Sequence, residues 1–274
     1  MNNQTKINNS KSSNAPLIII GLVLVAAIVG GWWFYSSSKT PNKAASSNSN
    51  SAKNPNDQAT ALQIYQNAPA GAQPANLLGA ANSSVTIEEF ADYQCRTCAV
   101  MHTKMKEINA LYSGRIKFIY RNFPLTQMHK NAYEASVAAE AAGMQGKFWA
   151  MQDQLFNNQQ TWSNSSEARK IFEEYAVKIG LDLTKFQNDM AGLPAKTRVD
   201  SDLQRGRALS LSGTPTLFLN GNKLIPEQTE VAALRQLIDA ELQKSSGQNA
   251  PGLPANQAVV VNSSNSNSSA NSKK

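Results

Sequence analysis

The chain has two cysteines among its 274 residues, and they stand three apart, in Cys95-Arg96-Thr97-Cys98. A strand-like run, Val85-Thr86-Ile87-Glu88-Glu89-Phe90, precedes them, and a helix-like run from Ala99 to Leu111 follows. This order puts Cys95 at the first turn of a helix, where unpaired backbone N–H groups and the positive end of the macrodipole favour an anion. The thiolate is the nucleophilic form of cysteine, so the placement predicts a lowered thiol pKa. Cys98 lies one turn on and on the same side of the helix, within disulfide reach of Cys95. The pair can therefore hold two electrons and trade a disulfide with another chain. A bridge across so short a loop removes little chain entropy, which makes a purely structural disulfide the weaker reading. Cys95, Cys98 and His102 would supply three metal ligands where structural zinc takes four. No metal is expected, and His102 reads as an ordinary helix residue.

The formal net charge of +7 does not mark a nucleic-acid surface. Lysine and arginine nearly balance aspartate and glutamate between Asn76 and Ser245, and the excess sits in the flanks, where Asp57 is the only acid. No basic patch with interleaved aromatics is present, so no nucleic-acid partner is expected.

Residues 16–35 read PLIIIGLVLVAAIVGGWWFY, an uncharged apolar run. Twenty helical residues rise about 30 Å, enough to cross a bilayer core. Trp32, Trp33 and Tyr35 stand at its far end, where aromatic rings favour the interface. A cleaved secretion signal has a shorter apolar core. The run is therefore read as a single N-terminal membrane anchor behind a short segment, residues 1–15, with the remainder outside the cytoplasm. If the run is instead cleaved, the product is secreted. Residues 36–75 are rich in Ser, Asn, Ala, Lys and Pro and read as a disordered linker. The tail, residues 246–274, reads the same way.

Residues 76–245 form the folded unit. Val85–Phe90, Ile116–Tyr120 and Thr216–Leu219 read as strands. Asn220-Gly221 is a two-residue hairpin turn, with Asn222–Ile225 returning. Val231–Leu242 has helical spacing. Between about residues 128 and 207 the pattern is helical throughout. Runs of this kind are Asn131–Ala142, one carrying Phe148 to Phe156, one ending at Gly180, a short one capped by Asp182, and Ala195–Leu211. One of Glu88 and Glu89 must face inward if the first strand alternates. Asp92 and Tyr93 shape the turn into the CxxC helix, and His129 reads as a surface cap.

Strand–CxxC–helix, strand, helices, then Gly213-Thr214-Pro215-Thr216 leading into a strand, a hairpin and a last helix closely resembles the DsbA-like thiol:disulfide oxidoreductases. The resemblance is carried by TIEEFADYQCRTC, YRNFPL, AAGMQGKFWAMQDQLF, YAVKIGLD and SGTPTLFLNG. It implies an α/β, thioredoxin-like fold with an inserted α-helical subdomain. It makes Cys95 the attacking cysteine and Cys98 the resolving one. Pro215 falls on the family's cis-proline and Thr214 on the residue before it, both facing substrate. Glu89 falls on a buried acid that could relay a proton to Cys98. The pair between the cysteines departs from the Pro-His or Pro-Tyr common in relatives. Here Arg96 would favour the thiolate by charge and Thr97 offers only a hydroxyl. A less stabilised thiolate makes a less oxidising disulfide.

The resemblance further implies exported protein thiols as substrates, and a quinone-linked DsbB-type or VKOR-like membrane protein as reoxidant. No metal, flavin or nucleotide cofactor is needed. A reductase or isomerase could use the same pair. A non-catalytic peptide-binding module and a metal chaperone are alternatives of other classes.

Overall fold

The computed structural model describes residues 55–248. The apolar run at 16–35, most of the linker and the tail beyond Gln248 lie outside the described residues. Among the described residues, no helix is long and apolar enough to cross a membrane.

A sheet of five strands, in the order β1-β3-β2-β4-β5, forms the centre. The strands are β1 (Asn76–Gly79), β2 (Thr86–Ala91), β3 (Lys117–Asn122), β4 (Thr216–Leu219) and β5 (Asn222–Lys223). β2 and β3 run parallel, with Ile87 opposite Phe118 and Phe90 opposite Arg121. Helix α2 (Arg96–Leu111) makes the crossover that a parallel pair requires. β1 adds antiparallel to β3, and β4 adds antiparallel to β2. The β4–β5 turn has Asn220 at φ 48° and Gly221 at φ 80°, the two positive angles of a type I′ turn. The returning strand is shorter than expected: after a last bond from the Leu224 N–H to the Leu217 carbonyl at 2.9 Å, the chain turns into a 3-10 helix, Pro226–Thr229.

Between β3 and β4 the chain builds the helical insertion. It comprises α3 (Ala132–Gly143), α4 (Phe148–Asn157), α5 (Gln159–Trp162), α6 (Ala168–Lys178), α7 (Leu183–Ala191) and α8 (Leu193–Ala208). The alanines of α3 are buried nearly all round, and their small side chains let neighbouring helices come close. Gly143 and Gly146 end this run as expected, Gly146 at φ 74°. Asp182 caps α7 by accepting from the Lys185 backbone N–H at 2.8 Å. At Gly206 of α8 a Cβ would stand 2.4 Å from Phe123 Cε2, so only glycine admits that ring. Helix α9 (Val231–Gln248) closes the domain. Trp162, Phe172 and Phe186 fill the core of the insertion; Ile87, Phe90 and Tyr120 fill that of the sheet.

Three expectations need correction. The linker is not disordered throughout, because α1 (Pro55–Asn67) lies inside it. Tyr65 of α1 packs on Phe218, with ring centroids 5.1 Å apart. The segment after α1 is pinned by arginines. Arg205 donates to the Pro69 carbonyl at 2.9 Å and Arg121 to that of Ala72 at 2.9 Å. Arg198 donates to Gln73 at 3.0 Å and to Pro74 at 2.9 Å.

The second correction concerns Glu88 and Glu89, which are both buried, at 1% and 2% exposure, because β2 is central and both faces of the sheet are covered. Glu88 meets Arg121 Nε at 2.7 Å and Arg205 Nη2 at 2.9 Å. Its burial pushes its pKa up, but the two guanidiniums outweigh that and hold it below the usual range.

Third, His129 is not a plain surface cap, and His102, a helix residue as expected, is not idle in packing. His102 is buried and its Nε2 lies 2.9 Å from Asp153 Oδ1. His129 Nδ1 lies 2.8 Å from the fully buried Asp92.

Candidate functional site

Cys95 is the residue that caps α2, with extended backbone angles (φ −75°, ψ 124°). The strand delivers it there through a turn that Asp92 organises. The Asp92 carboxylate accepts from the Gln94 N–H at 2.7 Å and the Leu125 N–H at 2.8 Å, and its carbonyl accepts from the Cys95 N–H at 3.1 Å. The insertion holds the same turn from outside. Gln159 of α5 donates to the carbonyls of Tyr93 at 2.7 Å and Cys95 at 3.0 Å. Gln94 accepts from the Asn131 N–H at 2.9 Å. Gln94 and Gln159 escaped the sequence reading: neither has a motif, and α5 is a four-residue helix with too few positions to show a period.

Both cysteines are free, Cys95 partly exposed and Cys98 buried. Cys95 Sγ lies 3.0 Å from Thr97 Oγ1 and 3.5 Å from the Thr214 carbonyl oxygen. The Thr97 hydroxyl also reaches that oxygen, at 3.4 Å. The Thr214–Pro215 peptide is cis. The fold thus brings Cys95, Thr97 and Cys98 of α2 together with Thr214 and Pro215 from a segment more than a hundred residues away.

The environment separates the two thiols. The Cys95 thiol is drawn down to about 4, first by the hydrogen bond from Cys98. Thr97, Thr214 and the Cys98 backbone amide act in the same direction, against partial burial. The Cys98 thiol is pushed up by burial and then by its neighbour Cys95. One sulfur is therefore an anion at neutral pH and the other keeps its proton. Arg96 is exposed and makes none of the hydrogen bonds that reach Cys95.

An open groove of about 600 Å³ runs beside Cys95 and is lined by Thr97, Val100, Met101, Thr214, Pro215 and Leu217. Val100 is 58% exposed, so the lining is apolar and accessible. Lys104 and Glu230 pair at its rim, 2.8 Å apart. Such a surface suits an extended polypeptide more than a compact polar ligand.

Glu89 lies buried in the central strand β2 and does not line this groove. Burial raises its pKa to about 8, and it has no hydrogen-bond or ion-pair partner among the described residues. It lines a pocket of about 190 Å³, open to solvent on the side of Lys106, together with His102, Tyr120, Gln152, Asp153 and Phe156. Among the described residues, no group of three or more His, Cys, Asp or Glu is disposed to hold a metal ion.

A family model described as Thioredoxin matches residues 72–240. Among solved structures, the thiol-disulfide exchange protein alpha-DsbA2 of Wolbachia pipientis superposes with a TM-score of 0.58 at 20% identity, covering 68% of this chain and 96% of that one. Oxidised BdbD of Bacillus subtilis gives 0.56 at 20% identity, covering 64% and 98%. MdbA of Corynebacterium diphtheriae, a thiol-disulfide oxidoreductase, gives 0.51 at 18% identity, covering 59% and 88%. Among curated sequences, the Na(+)/H(+) antiporter NhaA 1 of Mycolicibacterium gilvum is 33% identical over 147 residues, which is 53% of this chain and 23% of that protein. The chain thus matches less than a quarter of the length of such relatives.

Proposed function

The chain belongs to the thioredoxin family and has the fold of DsbA-type proteins; from that premise we propose that it is a membrane-tethered, extracytoplasmic thiol:disulfide oxidoreductase that introduces disulfides into exported proteins. A substrate thiolate attacks Cys95 Sγ, the Cys95–Cys98 bond breaks, and Cys98 leaves as a thiolate that takes up a proton. A second substrate thiolate then attacks the substrate sulfur of the mixed disulfide and expels Cys95 as a thiolate. Two electrons pass to the protein. A quinone-linked membrane partner of the DsbB or VKOR-like type removes them. The substrate chain lies in the groove along Thr214 and Pro215. Tethering and export are supported by the apolar run at 16–35. Antiport is not carried over, since the match takes in a minor part of the antiporter chains.

The observation that carries the oxidising direction is the Cys95 thiol at about 4. A sulfur that is stable as an anion is a good leaving group, and it favours the reduced protein, which makes the disulfide oxidising. The Thr97 hydroxyl, 3.0 Å from Cys95 Sγ, supports the thiolate where relatives often carry a histidine or tyrosine.

Equilibration with glutathione tests the reading. The expected potential lies well above the value of about −270 mV typical of thioredoxin. A potential near that value would turn the assignment to a reductase or isomerase. A Cys98→Ala variant is expected to accumulate mixed disulfides with exported proteins, and a Cys95→Ser variant none. If neither traps a partner and the wild type oxidises nothing, the groove belongs to a peptide-binding module.

A further inference from the structure

The groove beside Cys95 changes character along its length. One wall is a single stripe of α2. Thr97, Val100, Met101 and Lys104 all line the groove, and their spacing of three and four residues puts them on one helix face. Thr97 marks the reactive end, with its hydroxyl 3.0 Å from Cys95 Sγ. Lys104 comes seven residues later, about 10 Å further along the helix axis at about 1.5 Å per residue. The facing wall carries apolar side chains from Pro215, Leu217, Leu224 and Pro226, and Lys223 and Glu230 also line it.

The charge of the groove is unbalanced. Glu230 is the single acid in its lining, against Lys104 and Lys223. The acids next in sequence on the two walls, Glu107 and Glu227, do not line it. Glu230 is also the looser member of its pair with Lys104, its side chain 65% exposed against 22%. An exposed ion pair of this kind contributes little, so a carboxylate from another chain can join or displace Glu230 at small cost. Lys223 stands exposed on the edge strand β5, and its side chain has no hydrogen-bond or ion-pair partner among the described residues. An apolar slot with surplus positive charge is complementary to an extended chain that is apolar near its cysteine and acidic further on. Extended chain advances about 3.3 Å per residue. The distance from Thr97 to Lys104 is thus about three residues, and the long lysine side chains also reach a fourth.

We propose that Lys104 and Lys223 select the substrate: the polypeptides oxidised best carry an aspartate or glutamate three or four positions from the reacting cysteine, with an apolar side chain between the two lying over Val100 and Met101. This rests on the exchange reading above and names the class of polypeptide on which that exchange acts. While the substrate sulfur is bonded to Cys95, its acid is held by the lysines, and Glu230 shares Lys104 or gives it up. The lysines touch neither sulfur, so they act on binding. The preference therefore shows in the concentration of substrate that half-saturates the reaction and not in its limiting rate, and salt weakens it.

The test uses the full chain in its oxidised form and peptides with one cysteine, two of which reduce one Cys95–Cys98 bond and leave as a disulfide-linked pair. The peptides differ in a single residue, glutamate, glutamine or lysine. That residue stands three or four positions before the cysteine in one set and after it in the other, because a chain can enter the groove in either direction. Appearance of free Cys95 is followed against peptide concentration. In one of the two sets, the glutamate peptide is expected to half-saturate at a concentration about fivefold or more below that of the lysine peptide at low salt, with limiting rates within about twofold. Glu230→Gln should widen this preference. Lys223→Glu, at an exposed position, should narrow it by about twofold or more, and Lys104→Glu combined with Lys223→Glu should reverse it. The inference is overturned if glutamate and lysine peptides of both sets half-saturate within about twofold of each other, or if the preference survives unchanged in Lys223→Glu and in the double variant. Failure of every peptide, and of glutathione, to reduce the pair would instead sink the exchange reading, and this inference with it.

Discussion

Glu88 and Glu89 leave the central strand in opposite directions and meet opposite surroundings. On one face Glu88 is held by Arg121 and Arg205, with Tyr65 beneath the Arg205 guanidinium at 4.7 Å. Asp202 completes the cluster by accepting from Arg121 at 3.1 Å and from the Ala72 and Asn122 amides at 2.8 and 3.0 Å. On the other face Glu89 has no hydrogen-bond or ion-pair partner among the described residues, the phenols of Tyr93 and Tyr120 are buried with their rings 5.4 Å apart, and a pocket opens next to it. Identical side chains, equally buried, are thus assigned different work. Full pairing fixes Glu88 as a permanent anion that ties the sheet to α8 and to the segment after α1. Absence of pairing leaves Glu89 able to change its protonation near neutral pH, which is what a proton relay for a buried thiol needs.

The comparison breaks most visibly at Glu88. Glu88→Ala leaves the buried Arg205 guanidinium without a carboxylate and Arg121 with Asp202 alone, and is expected to cost about 3–5 kcal/mol of stability, read from urea unfolding. Exchange activity per folded molecule should persist. A variant of near wild-type stability that loses exchange would reverse the assignment of the two faces.

Glu89→Gln sharpens the contrast through pH. In the fold Glu89 keeps its proton up to about pH 8, whereas an ordinary carboxyl releases it near 4.5. The folded protein therefore holds more protons than the unfolded chain across that window, and wild-type stability falls as pH rises through it. The slope approaches about 1.4 kcal/mol per pH unit. Replacing the carboxyl removes this cost. The stability of Glu89→Gln relative to wild type should climb between about pH 4.5 and pH 8 and then level off. A difference independent of pH would mean that the carboxylate is already ionised in the fold.

The smallest effect concerns the exposed side of the pair. Thr97→Val removes the hydroxyl 3.0 Å from Cys95 Sγ and should raise the Cys95 pKa by about one unit, measured by thiolate absorbance. Arg96→Ala should move it by less than about half of that, because Arg96 is exposed and no hydrogen bond joins it to the sulfur. The reverse order would return the tuning role to Arg96.

Local grammar was readable wherever it sufficed. The CxxC at a strand-to-helix junction, the type I′ signal of Asn220-Gly221, the Asp182 cap and the glycine stops after α3 each depend on a few consecutive residues. Glu89 and Pro215 became visible through resemblance. The pairing of Glu88 was not legible, because its partners lie 33 and 117 residues away and nothing in TIEEF announces them. β1 escaped because it is four residues long and partly exposed. α1 escaped because PNDQATALQIYQN has a weak apolar face. It is Tyr65 packing on Phe218 and stacking under Arg205, both supplied by the far end of the chain, that give the helix a place.

The arginine clasp on residues 68–74 also sets where this domain can be cut. Three guanidiniums, from Arg121, Arg198 and Arg205, find acceptors in main-chain oxygens that precede the first strand. A recombinant piece started at Asn76, the limit that hydropathy alone suggests, would discard those oxygens and leave the guanidiniums only their carboxylate partners, Glu88, Asp202 and Glu140. A piece started ahead of Pro55 keeps them, together with the helix that covers the β4–β5 hairpin.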